Sequence, residues 1–133
     1  MELVEIDWTP RSDDNSLPEN SRYARWVNEL YKAMDMAGRD MRVDPNTCNK
    51  LRELGFVDVR EQKMKLYHNP WLTGGADEGL GRWFNLTLTY ALESLSMAPF
   101  TRYLNWSPQE VKSFADEVQH EICLLRHHGY CTL

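Results

Sequence analysis

The sequence is short of most features that would announce a function. No stretch of apolar residues approaches the length of a membrane span, and the opening Met1-Glu2-Leu3-Val4-Glu5 lacks the pattern of a signal peptide. A cytoplasmic, reducing location is the expectation. Cysteine is scarce and odd in number: Cys48, Cys123 and Cys131 have no framework spacing. They read as free thiols rather than a disulfide scaffold. A basic excess is also missing, with 15 Lys and Arg against 20 Asp and Glu, net charge −5. That argues against nucleic acid or an anionic membrane as a partner. There is no internal repeat and no low-complexity tract. No Ser-His-Asp or Cys-His arrangement can be argued from spacing. What remains is one domain's worth of chain, residues 1–133, long enough to bury roughly two thirds of its unfolded surface.

The longest apolar-periodic stretch runs from Asp77 to Pro99. Leu80, Trp83, Phe84, Leu88, Ala91, Leu92 and Leu95 recur at steps of three and four, one stripe of an α-helix. Leu86, Tyr90 and Met97 add apolar surface beside it, so this helix is expected to be a buried spine with little surface left for water. Its polar residues Arg82, Asn85, Thr89 and Glu93 lie at near-helical spacing. Buried polar groups need partners or a purpose.

The other elements follow in order. Leu3 to Trp8 alternates as a half-buried strand, with Val4, Ile6 and Trp8 on one face. A polar loop spans Thr9 to Asn20. A helix is predicted from Ser21 to Ala37, closed by Gly38. Asp44-Pro45 suits the start of a shorter helix with Cys48, Leu51 and Leu54 inward, closed by Gly55. Phe56 to Tyr67 reads as an extended strand with a phase change near Gln62. Phe100 to Trp106 reads as a connector. Ser107-Pro108-Gln109-Glu110 is a capping box opening a helix to His128. Tyr130 to Leu133 starts a last strand.

The fold class expected is α+β, mostly helical, with two or three strands and four main helices. So few strands leave sheet edges unpaired, and a homodimer is expected to complete them.

An ordered series of short motifs carries a family resemblance. Val4-Glu5-Ile6-Asp7-Trp8-Thr9-Pro10-Arg11, Leu54-Gly55-Phe56-Val57-Asp58-Val59, Asn69-Pro70-Trp71, Gly81-Arg82-Trp83, Leu92-Glu93, Phe100-Thr101-Arg102 and Trp106-Ser107-Pro108-Gln109-Glu110-Val111 recur in this order. The chain resembles the second half of fungal LaeA-like class I methyltransferases, which are similar to S-adenosylmethionine-dependent enzymes of secondary metabolism. The resemblance implies a remnant of a Rossmann-like fold, with the three predicted strands late in the sheet. The first half of that pattern is missing. No Gly-x-Gly-x-Gly loop follows a strand, and Gly74-Gly75 and Gly79-x-Gly81 are not placed to replace it. No cofactor is therefore expected.

The resemblance also implies that the later helices cover an acceptor pocket for a small organic molecule. A cofactor-free cyclase or isomerase, such as a pericyclase acting on a hydrophobic polyketide or terpenoid intermediate, is the function expected. The alternative is a non-catalytic module that pairs with a methyltransferase or another protein. The candidate catalytic residues are Glu93 as acid or base and Tyr90, Arg82 and Asn85 as hydrogen-bond donors. Asp7, Trp8, Trp26, Trp83, Tyr103 and Trp106 are the candidate substrate contacts. Taken one at a time, each polar residue is better read as packing. His120, Cys123 and His127 share a predicted helix face, but a solvated face explains them and no metal is expected. His127-His128 suits a helix C-terminus, and Asp13-Asp14 reads as loop.

Overall fold

A computed structural model describes residues 2–133. Among them are three strands and four helices: β1 (Asp7–Arg11), α1 (Arg22–Met36), α2 (Thr47–Glu53), β2 (Lys65–Tyr67), α3 (Ala76–Tyr103), α4 (Pro108–Ile122) and β3 (Tyr130–Thr132). Helices take about half of the chain. The α+β class expected from the sequence holds at this level.

Helix α1 starts where its chemistry allows. The Ser21 hydroxyl accepts from the Ala24 N–H at 3.1 Å. The carboxylate of Glu121, from the end of α4, accepts from the Arg22 and Tyr23 N–H groups at 3.0 Å each. A negative charge thus meets the positive end of α1, and two otherwise orphaned donors are satisfied. The predicted capping box at Ser107 is present, with the Glu110 carboxylate accepting from the Ser107 N–H at 2.7 Å.

The core lies between α1, α3 and α4. Tyr23, Trp26, Leu30, Leu88, Leu92, Phe100, Val111 and Val118 are almost fully buried there. Leu66 of β2 and Cys131 of β3 close it from the sheet side. Burial pushes the Cys131 thiol up to about 12.

The sheet order is β1-β3-β2, with β3 antiparallel to both neighbours. Leu66 pairs with Cys131 and Tyr67 with Tyr130. On the other side Asp7 pairs with Thr132 and Arg11 with Tyr130, so β1 carries extra residues as a bulge. The Asp7 carboxylate fills it, accepting from the Thr9 N–H and from Arg11 at 2.6 Å.

Several expectations are corrected. Leu3 and Val4 are exposed and precede β1, which begins only at Asp7. Most of Phe56 to Met64 is irregular: Asp58 sits at φ 54, and Phe56 and Val57 face solvent. Helix α2 begins at Thr47 because Asp44 forms a turn before it, accepting from the Asn46 N–H. It buries no residue, and Leu54 is 76% exposed rather than inward. The predicted connector Phe100–Tyr103 continues α3 through Pro99, because Phe100 is drawn fully into the core. Helix α4 stops at Ile122, well short of His128. Asn69 explains the stop: its Nδ2 lies within bonding distance of the Ile122, Leu124 and His127 carbonyls at 3.0–3.2 Å and folds the chain back.

Candidate functional site

The residues predicted to be catalytic all lie on α3, but α3 is covered on one side only. Its buried line is Gly81, Phe84, Leu88, Leu92, Ser96 and Phe100. The opposite line faces out: Trp83 is 70% exposed and Tyr90 78%, with Leu86 between them. The expected all-round burial fails because α1, α4 and β2 can cover only one flank of a 28-residue helix.

Arg82 is exposed and pairs with Glu78 at 2.5 Å, an i,i+4 surface pair. Glu93 is half exposed and lies 3.8 Å from Lys112. Asn85 is partly buried, and its Nδ2 donates to the His68 carbonyl at 2.6 Å. It ties α3 to the loop after β2. These four residues do not converge on a common cavity.

The predicted substrate contacts are also scattered. Trp26 is fully buried, and its Nε1 donates to Ser96 at 2.7 Å, joining α1 to α3. Trp8 stands edge-on to Trp26 at 5.7 Å. Tyr103 is partly buried against the core. For Asp7, burial pushes the carboxyl up, but hydrogen bonds from Thr9 and Arg11 outweigh it and hold the group below its ordinary value. Trp106 packs on Phe100 and Phe114 and lines an open depression of about 450 Å³ with Arg25, Glu110 and Glu117. A second depression of about 240 Å³ lies beside the loop after β1, between Arg11, Asn15 and Pro18. Both are open, polar-edged hollows.

The densest polar cluster is elsewhere, at one end of the sheet. The loop after β1, the loop after β2 and the turn before β3 meet there. Asp13 accepts from Lys65 at 2.5 Å and from the Tyr130 hydroxyl at 2.7 Å. Asp14 lies 2.5 Å from His128 Nδ1 and also accepts from Ser12 and the Ser16 N–H. Those bonds, Ser16 first and His128 next, hold the Asp14 carboxyl far below the usual carboxylate range. The His128 ring stacks on Trp71 with centroids 4.0 Å apart. Tyr67 stands edge-on to both Trp71 and Tyr130.

Just beneath, His68 is 2% exposed and packs on Tyr23 at 4.0 Å. Burial pulls its pKa down to about 3. Its Nε2 has no partner, and neither do Asn69 Oδ1, Trp71 Nε1 and His127 Nδ1. A Cβ on Gly129 would sit 2.7 Å from His68 Nδ1, so the chain passes over the imidazole only as glycine. Sequence spacing gave no hint that Asp14 meets His128, 114 positions away. The usable signal was weaker: both lie beside strand ends, where open sheets tend to place ligands.

The glycines do not make a cofactor loop. Gly74 and Gly75 have φ near 86° and open α3, but loop rather than strand precedes them. Gly81 lies inside α3 against the Asn69 carbonyl. Among the described residues, no three His, Cys, Asp or Glu side chains gather as metal ligands.

No family model matches the chain, and no solved structure matches it. Curated fungal proteins do. The chain is 37% identical along its whole length to the secondary metabolism regulator laeA of Gibberella zeae, covering 42% of that protein. It is 41% identical over 99% of its length to the protein-methionine methyltransferase laeA of Chaetomium globosum, again 42% of that protein. A laeA regulator of Aspergillus flavus is 36% identical, with 36% of its length covered. The chain is thus LaeA-like from end to end, in line with the motif series. It spans about two fifths of the length of the curated relatives it matches and fits a C-terminal fragment of such a protein.

Proposed function

We propose that this chain is the acceptor-side portion of a LaeA-like methyltransferase of fungal secondary metabolism, and that its sheet continues along the outer edge of β1. The observation that carries this reading is the sheet itself. Strands β1 and β2 both flank β3, and no further strand pairs with the outer edge of β1 among the described residues. An unpaired edge is a template for another strand. The exposed row Trp83, Leu86 and Tyr90 supports the same reading, since such surface favours a covering partner. Likeness along nearly all of this chain to two fifths of a protein named for methionine methylation supports that class of chemistry.

The test uses the preceding segment of the Chaetomium globosum relative. The purified chain is mixed with that segment, and S-adenosylmethionine binding is followed by calorimetry. The mixture is expected to form a complex that binds the cofactor, and the chain alone is expected to bind none. Binding by the chain alone, or no association with the segment, overturns the reading. Self-association through the same edge would return the homodimer. Turnover of a polyene or terpenoid intermediate by the chain alone, lost in Tyr90→Phe, would restore the cofactor-free cyclase.

A further inference from the structure

We propose that Asp14 and His128 form an acid–base pair that takes a proton from the hydroxyl of a phenolic ligand at the open end of the sheet. The geometry is that of an oriented base. The Asp14 carboxylate is fixed by Ser12, Ser16 and His128 together. As a carboxylate it accepts only, so His128 Nδ1 is the donor and carries the proton. In the neutral ring the lone pair is then on Nε2, which makes no hydrogen bond among the described residues and is not enclosed. The backbone holds the ring in place as well: the His128 N–H donates to Ser16 Oγ at 2.8 Å.

The surroundings select the ligand. Trp71 stacks on the imidazole, and Tyr67 stands edge-on to Trp71 and extends the aromatic wall. A flat ring offers such a wall more contact than an aliphatic chain does. Among charged neighbours, Asp13 is already occupied by Lys65 and Tyr130, and Arg126 lies against the next ring, His127. In the step itself, the ligand's O–H bond breaks and an N–H bond forms at His128 Nε2. The electron pair stays on the phenolate oxygen. The imidazolium formed is paired with Asp14. The proposal rests on side chains of this chain alone and stands or falls separately from the segment-association test.

The experiment uses 4-nitrophenol, whose visible absorbance reports loss of its phenolic proton, at a pH where the free probe is protonated. Adding the chain should raise the phenolate band saturably. His128→Gln should abolish the rise and Asp14→Asn should remove most of it, whereas His120→Gln should leave it intact. Nitrogen-correlated NMR of the imidazoles should show His128 protonated at Nδ1 in the parent chain, and a mixed tautomer in Asp14→Asn. This second readout separates base orientation from simple loss of the loop clamp. No saturable band from the folded parent chain, an equal band in His128→Gln, or a proton on Nε2 would overturn the proposal.

Discussion

The two faces of the molecule that attract attention are built on opposite plans. At the sheet end, charges are many and nearly all engaged: Asp13 with Lys65 and Tyr130, Asp14 with His128, Ser12 and Ser16. On the outer face of α3, the residues are large and apolar and touch little: Trp83, Leu86 and Tyr90. The first face is organised but modest in apolar surface. The second has apolar surface but no organised polar group. Small-molecule sites combine apolar walls with a few convergent polar groups. The sheet end sets aromatic residues beside such polar groups. The α3 face has the character of a contact awaiting cover, and exposure by itself does not make its residues catalytic.

That contrast can be broken or sharpened by measurement. The largest effect is expected at Trp26→Ala, which empties a fully buried site and removes the donor to Ser96. A loss of about 3–5 kcal/mol, enough to unfold a marginal domain, should appear in urea titration. A smaller loss of about 1–3 kcal/mol is expected for Glu121→Ala, which leaves the Arg22 and Tyr23 N–H groups without acceptors. Circular dichroism melts of this variant should fall between those of Trp26→Ala and the parent.

His68 gives a pH signature instead. Its folded pKa, about 3, lies below its ordinary value of 6.5. The unfolded chain therefore takes up the proton first, and stability present above pH 6.5 drains away as pH falls toward 3. His68→Phe should flatten that part of the stability–pH curve relative to the parent. If the slope is unchanged, His68 is not the group responsible. The smallest effect belongs to Trp83→Ala, within about 0.5 kcal/mol in the isolated chain. The same substitution should weaken association with the relative's preceding segment. A large stability loss there would show that the outer face of α3 is already covered.

Much of the helical frame was legible in the sequence. Helix α1 runs within a residue of its predicted ends because Ser21 and Gly38 mark both. The capping box at Ser107 is a local device and reads locally. Failures came where distant contacts decide. Pro99 suggested an end to α3, yet the burial of Phe100 carries the helix onward. Helical periodicity placed His128 on α4, but Asn69, more than fifty positions earlier, turns the chain at Ile122. The aromatic residues Trp83 and Tyr90 read as buried because hydropathy reports what a residue prefers, not how many neighbours the fold can supply. The Asp14–His128 pair was invisible for the same reason: its partners come from opposite ends of the chain, and no spacing rule reaches that far.

The placement of β3 has a consequence for assembly in time. It is the last of the described elements and the middle one in the sheet. Until it arrives, β1 and β2 are not joined, since among the described residues neither bonds to the other. A chain emerging from the ribosome can form α1, α3 and α4 early, from mostly local contacts. The three-stranded sheet and the Asp14–His128 pair must wait for residues 128–132. Closing a loop from Asp7 to Thr132 is slow compared with winding a helix. Whatever chemistry the sheet end performs is therefore withheld from a nascent chain until β3 has been made.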